Sequence, residues 1–329
     1  MKKALICGIS GQDGAYLARL LLEKGYEVIG SSRDAQLASF ANLRALGIFE
    51  RVQLHSMAMN DFRSVLQLLT KTNPDEIYNL AGQTSVALSF DQPVETMESI
   101  SLATLNLLEA IRFLGKPARL YNACSSECFG DVGGVAADER TPFRPGSPYA
   151  VAKAAAFWEV ASYRDAYGIY ACSGILFNHE SPLRHHRFVT RKIVESARLI
   201  AAGAQDKLFL GDVTVTRDWG WAPDYVEGMW RMLRADHAVD YVLATGEPHS
   251  IKEFCELAFR HEGVQISWKG AGYDTRGFDG EGREIIVVDP RFIRPAEIHS
   301  SFGNSSRART ELGWAPSTTF SSLVAGLFG

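Results

Sequence analysis

The chain reads as an α/β protein: a doubly wound parallel sheet followed by a smaller α/β unit. Three observations carry that reading. Short apolar runs alternate with helical patterns through the first half. A glycine cluster directly follows the first of those runs, where a strand turns into a helix. After Asn178 the alternation loosens into helices separated by short strands and a glycine-rich stretch.

Element by element, Lys3 to Gly8 predicts a buried strand, and Ala15 to Leu22 carries apolar residues at helical spacing until Gly25 stops it. Glu27 to Ser31 and Val52 to Leu54 predict the next two strands. Glu76 to Ala81, Arg119 to Ser125 and Tyr170 to Phe177 predict three more, with a helix from about Tyr149 to Tyr167 before the last. Another helix is expected over Val94 to Leu114. Beyond Asn178, helices are expected at Phe188 to Ala202, Asp224 to Arg234 and Ile251 to His261. We therefore divide the chain into residues 1–178 and 179–329, with parts of 212–245 returning to the first unit.

Composition narrows the function. Of 329 residues, 46% are hydrophobic and 22% charged, a globular profile. A net charge of -4 argues against a nucleic-acid binder, which shows a basic surplus. The lack of an apolar run of about 18 residues argues against a membrane span. Five cysteines without a Cys-x-x-Cys pair favour free thiols in a reducing, cytoplasmic setting over disulfides or zinc.

The glycines Gly8, Gly11 and Gly14 fall at G-x-x-G-x-x-G spacing, which suits a dinucleotide pyrophosphate at a helix N-terminus in a Rossmann-type fold. Strand two ends Ser31-Ser32-Arg33-Asp34; Arg33 favours the 2′-phosphate of NADP, and Asp34 is the competing partner for an NAD ribose. Tyr149 and Lys153 stand four apart on one helix face, so a cation is expected to lower the phenol's pKa. Ser147-Pro148 marks that helix's start. Ser125-Ser126-Glu127 lies at a strand's carboxyl end, where open parallel sheets bind ligands.

These elements in this order resemble the extended short-chain dehydrogenase/reductases that act on nucleotide sugars. Ser173 to Arg184, Phe188 to Ile193, Thr216 to Gly220, Asp224 to Glu227, Ala244 to Glu247 and Asp289 to Glu297 narrow the resemblance to the GDP-mannose 4,6-dehydratase family, over about Ala4 to Phe320. The block Phe177-Asn178-His179-Glu180-Ser181-Pro182 is its most specific part. The resemblance implies that Ser125 binds the sugar O4, that Glu127 is a base and that Tyr149 and Lys153 act at C4. It implies a cofactor, NADP, along Gly8, Gly11, Gln12, Asp13, Gly14, Arg33, Met59, Leu80, Ala81, Gln83, His179 and Arg184. It puts Ser126, Asn178, Val189, Lys192, Arg217, Arg294 and Glu297 around the GDP-sugar, and implies a homodimer or homotetramer.

Three departures stand out. One arginine rather than two follows strand two, Ala58 stands where an Asp is common, and Leu183-Arg184-His185-His186-Arg187 replaces a smaller turn. Adjacent His185 and His186 lack partners at metal spacing, so no metal is expected. The competing readings are a dehydratase of another GDP-sugar such as a manno-heptose, an epimerase or reductase, and a dinucleotide-binding subunit without turnover. Glu127 argues against an epimerase or reductase, and the intact Ser125, Glu127, Tyr149 and Lys153 against the last.

Overall fold

Six apolar runs in the first half become the strands β1 (Lys3–Cys7), β2 (Glu27–Ser32), β3 (Gln53–Ser56), β4 (Glu76–Asn79), β5 (Arg119–Ser125) and β6 (Ala171–Leu176) of the computed structural model. It describes residues 1–293 and 296–329. A seventh strand, Tyr241–Leu243, pairs with β6, and the sheet runs Tyr241–Leu243, β6, β5, β4, β1, β2, β3, with all pairings parallel. The chain moves outward from β1 in one direction through β2 and β3, then in the other from β4. The switch point therefore lies between β1 and β4, the place where such sheets open a crevice beyond their strand ends.

Alternation along β1 fills both faces. Ile6 packs with Ile9, Leu17 and Tyr225 on one side, while Leu5 and Cys7 pack with Val65, Leu107 and Val160 on the other. Helices cover both faces, so both sets are buried. The helix expected over Val94 to Leu114 is present from Pro93 but contains a π turn at Glu98–Leu102. There Ser99 accepts the N–H of Gln83 at 3.2 Å, a local adjustment of a kind often found beside binding sites.

Leaving β6, the chain passes Phe177 and pairs Asn178–Glu180 in parallel with Trp219–Trp221 in a second, four-stranded sheet. A third sheet joins Ser267–Lys269, Arg276–Phe278, Glu284–Val288 and Leu208–Leu210. Two of its strands occupy or border the glycine-rich stretch, because Gly270 and Gly272 turn the chain back on itself with positive φ. Ile193, Phe254, Phe259, Ile286 and Leu327 form a separate core beneath these sheets. Segment 178–180 therefore ties the parallel sheet to this smaller unit.

Candidate active site

The glycine turn sits at the switch point. Gly8 has φ of 83°, and a Cβ there would lie 2.8 Å from the Leu80 carbonyl oxygen and 2.9 Å from the Ala81 nitrogen, so only glycine fits between β1 and the end of β4. The helix Gln12–Glu23 begins at Gly11, which offers no capping side chain, leaving first-turn N–H groups for an anion. Gly8, Gly11, Gln12, Asp13, Gly14 and Leu80 line one cavity of about 640 Å³ together with Arg184 and the loop from Ala38 to Asn42. Arg184 borders a second cavity of the same size. Its Nε makes no hydrogen bond, although Glu180 lies 3.4 Å away and the guanidinium stacks 3.8 Å over the Phe188 ring. A half-buried cation with an unused donor, beside open helix N–H groups, fits a pyrophosphate.

Asp13 brings a carboxylate to this phosphate-like setting, and the fold neutralises it. Its Oδ2 lies 2.9 Å from His179 Nε2, and its Oδ1 accepts from Gln12 at 2.9 Å. The other His179 nitrogen, Nδ1, lies 2.7 Å from the Phe177 carbonyl, and the ring stacks on Tyr225. Burial opposes both charges, yet their mutual attraction and hydrogen bond win: Asp13 is lowered to about 2 and His179 is raised. Gln12 also accepts from Ser181 at 2.7 Å. Glycine turn and Asn178–Glu180 segment are thus locked together.

The second cavity lies along the strand ends of β4, β5 and β6. Ser125, Ser126, Glu127, Tyr149, Lys153, Asn178, His179, Val189 and Lys192 all line it. Ser125 closes β5, and its hydroxyl accepts the N–H of Glu127 at 3.3 Å, turning the chain so that hydroxyl and carboxylate share one wall. Opposite, Ser147 caps the helix Pro148–Tyr167 by accepting from Ala150 at 3.1 Å, and Pro148 starts it. One turn separates Tyr149 from Lys153 on its inner face.

The electrostatics of that pair differ from expectation. Burial pushes the Tyr149 phenol up, against a hydrogen bond with Ser125 that lowers it. Lys153 Nζ donates to the Ala123 carbonyl at 2.7 Å and stands 5.9 Å from the Tyr149 ring centroid, and burial rather than the cation sets the direction of the phenol's shift. Burial also lowers Lys153.

At the cavity's far end Lys192 donates to the Phe209 carbonyl at 2.6 Å and lies 3.8 Å over Phe292, with Arg291 adjacent. Cations, an aromatic face, and a hydroxyl-carboxylate-phenol cluster thus share one cleft.

Comparison with known proteins decides the family. A family model for GDP-mannose 4,6 dehydratase matches residues 5–327. The chain belongs to that family. It is 46% identical over 333 residues to the GDP-mannose 4,6-dehydratase of Sinorhizobium fredii, covering 98% of this chain and 94% of the relative. Its fold is similar to that of dTDP-glucose 4,6-dehydratase from Streptomyces venezuelae with NAD bound, at TM-score 0.83 and 21% identity, covering 99% and 95% of the two chains. RMD from Pseudomonas aeruginosa, complexed with NADPH, aligns at TM-score 0.76 and 23% identity over 100% and 98%.

Within this GDP-mannose 4,6-dehydratase family chain, the remaining candidates among the described residues lie outside the two cavities. Arg33 is exposed at the end of β2, 3.6 Å from Glu95. Met59 is buried, and its carbonyl accepts from Asn106. Ala81 backs Gly8, and Gln83 donates to the Ser85 carbonyl at 2.8 Å. Arg217 and Glu297 are brought to each other at 3.0 Å, with Arg217 also donating to the Ile298 carbonyl. Arg294 lies outside the described residues. His186 pairs with Glu195, and among the described residues no cluster of three His, Cys, Asp or Glu could hold a metal ion.

Several cavity residues escaped the sequence reading. Thr84, Ser85 and Phe90 follow β4, and the rule that ligands sit beyond strand ends was the signal that could have found them. Glu180, buried and accepting from Thr190 at 2.7 Å, holds Arg184 in place. Arg291 and Phe292 reach the cavity only through tertiary folding.

Proposed function

We propose that this protein converts GDP-mannose to GDP-4-keto-6-deoxymannose by internal hydride transfer and loss of water, with NADP as its cofactor. The observation that carries the reading is the meeting of Ser125, Glu127, Tyr149 and Lys153 on one cavity that adjoins the glycine turn. Gly8, Gly11, Gln12, Asp13, Gly14, His179 and Arg184 would hold the nucleotide. When bound, the nicotinamide supplies a hydride acceptor for the sugar C4 and a donor for C6.

The chain's own groups move the protons. Tyr149 takes the C4 hydroxyl proton, and the Ser125 hydrogen bond opposes the burial that keeps the phenol protonated. The Lys153 ammonium, desolvated one turn away, favours the anionic form as it develops. Once C4 is a ketone its neighbouring C5 proton is acidic. Glu127 takes that proton and passes one to the departing C6 hydroxyl, which leaves as water, and C5 regains a proton from solvent once C6 is reduced. Lys192, Arg291 and Phe292 suit the diphosphate and base of GDP at the cleft's other end.

Preference for NADP is supported by the state of the competing residue. Asp34 accepts the N–H groups of Gln36 at 2.9 Å and Leu37 at 3.1 Å, so its carboxylate is committed to its own turn, while Arg33 is exposed beside it. At least a dimer is supported by apolar groups left exposed on two neighbouring helices, Val94, Leu102, Val151 and Trp158 among them. Cytoplasmic residence is supported by five cysteines that are all free. Among the described residues no helix is long and apolar enough to cross a membrane.

Replacing Glu127 with Gln tests the reading. In single turnover with GDP-mannose the variant should still reduce bound NADP, because oxidation at C4 does not need the base. It should incorporate almost no solvent deuterium at C5 and release no water. Unchanged water loss would remove Glu127 from this role, and sugar interconversion without water loss would favour an epimerase.

A further inference from the structure

Two thiols flank the Ser125-Ser126-Glu127 turn, and no step above uses them. Cys124 is the penultimate residue of β5, and Cys128 lies in the short 3-10 turn Ser126–Phe129 that follows. Their Sγ atoms are 3.7 Å apart. Both are buried, and of the two only Cys124 belongs to the wall of the proposed catalytic cavity. Cys124 Sγ is 3.9 Å from the Lys153 carbonyl, and Cys128 Sγ is 3.6 Å from that of Ala150. The pair therefore fills the space between the turn bearing Ser125 and Glu127 and the helix bearing Tyr149 and Lys153.

We propose that Cys124 and Cys128 form a peroxide-sensitive modification site, whose intramolecular disulfide disables the dehydratase reversibly. A disulfide needs the sulfurs at about 2.05 Å, so they must close by roughly 1.6 Å from contact. The ring thus formed contains Ser125, Ser126 and Glu127. Closure shifts the hydroxyl and carboxylate against Tyr149, and it removes both S–H groups from the carbonyls of the catalytic helix.

The chemistry needs only a hydroperoxide as oxidant. The Cys124 sulfur, on a residue that lines the cavity, attacks the O–O bond; one oxygen stays as sulfenic acid and the other leaves as water with the thiol proton. Cys128 then attacks that sulfur, the S–O bond breaks, the S–S bond forms and a second water departs. Two thiols are oxidised by two electrons and one peroxide is reduced to two waters. Burial holds the Cys128 thiol well above its ordinary value, which slows the second attack, and the 3.7 Å contact between the sulfurs is what favours it. A sugar filling the cavity shields Cys124, so the idle enzyme is the sensitive form.

The test treats the reduced full-length protein with hydrogen peroxide, then follows both the peptide containing residues 120–129 and turnover of GDP-mannose. The peptide should become two hydrogen atoms lighter. Turnover should fall by about a hundredfold, the order expected when reacting groups are displaced by about 1 Å. Dithiothreitol should reverse both changes, and saturating GDP-mannose should slow both. The Cys128→Ser protein should keep its initial activity and form no linkage, and dithiothreitol should restore little after the same exposure, because Cys124 then continues to sulfinic acid. The activity measurement rests on the dehydratase reading; the peptide mass does not, so the two fail separately. No linked peptide, a linked peptide with full turnover, or equally reversible inactivation of Cys128→Ser would each overturn the proposal. The series on the unmodified protein decides the matter even where the variant folds poorly.

Discussion

The cavity proposed as catalytic has two walls built by different means. One is the strand-end wall, where Ser125 and Glu127 come from a single tight turn and Tyr149 and Lys153 from a single helical turn. The other is the turn Pro182 to Phe188 with Lys192, Arg291 and Phe292, whose long side chains are held by contacts of their own: Arg184 by Glu180 and Phe188, Lys192 by the Phe209 carbonyl. The first wall fixes its groups through backbone geometry, with Tyr149 and Lys153 buried. The second holds them through ion pairs and ring contacts at its rim, where His185 and His186 are exposed. In the proposed mechanism the first wall transfers protons, which demands a fixed distance, and the second grips a nucleotide diphosphate, which tolerates adjustment. The two constructions match that proposed division of labour.

If the strand-end wall carries the chemistry, its loss gives the largest effect. Tyr149→Phe keeps the ring packing but deletes the phenol that hydrogen-bonds Ser125. Turnover of GDP-mannose should drop by about 10²- to 10⁴-fold, the usual span for losing a positioned acid-base group. GDP binding, measured by calorimetry, should stay within about twofold, since that energy comes from the other wall. Turnover close to that of the parent would mean that the rigid wall is not where the proton moves.

That contrast also explains what the sequence could convey. The meeting of Ser125 with Glu127 and of Tyr149 with Lys153 was legible because the members of each pair stand two or four residues apart, in one strand-end turn and in one helix. The glycine turn was legible for the same reason. The exchange of partners between Arg217 and Glu297, and the commitment of Asp34 to its own turn, depend on which neighbours folding supplies. So does the raised Tyr149 phenol: the spacing places Lys153 one turn away, but the depth of burial that raises the phenol is a tertiary property. Phe292 reaches the cavity from more than a hundred residues beyond Lys153, and no short-range pattern encodes that.

The joint between the walls should show an intermediate effect, and one that depends on pH. His179 and Asp13 pair across it at 2.9 Å. The His179 contribution is fully present below the unfolded imidazole value and is lost as pH rises through its raised folded value. The Asp13 contribution is present above the unfolded carboxyl value and is lost as pH falls towards about 2. Both therefore overlap between about pH 4 and pH 6.5. His179→Gln, studied without nucleotide, should melt several degrees below the parent at pH 5, and the gap should narrow by pH 9. A gap that widens with pH would show that the pair is not charged in the folded protein.

The smallest effect is expected at the start of the catalytic helix, and it sharpens the comparison most. Ser147 accepts the N–H of Ala150 at 3.1 Å and so satisfies one of the helix's open first-turn donors. Ser147→Ala removes that acceptor at a cost of about 1 kcal/mol, which for a chain of this size lowers the melting temperature by about 2 °C. Tyr149 should nevertheless keep its place. Pro148 still presets the helical start, the Tyr149 ring packs against Ile100, Ala152 and Ala156, and Lys153 remains anchored to the Ala123 carbonyl. Turnover should therefore remain within about twofold of the parent while stability falls, since a lost cap frays a helix end without displacing side chains that are packed from both sides. A turnover loss of the size seen on removing the phenol would mean that the wall owes its rigidity to the cap rather than to the packing beneath it.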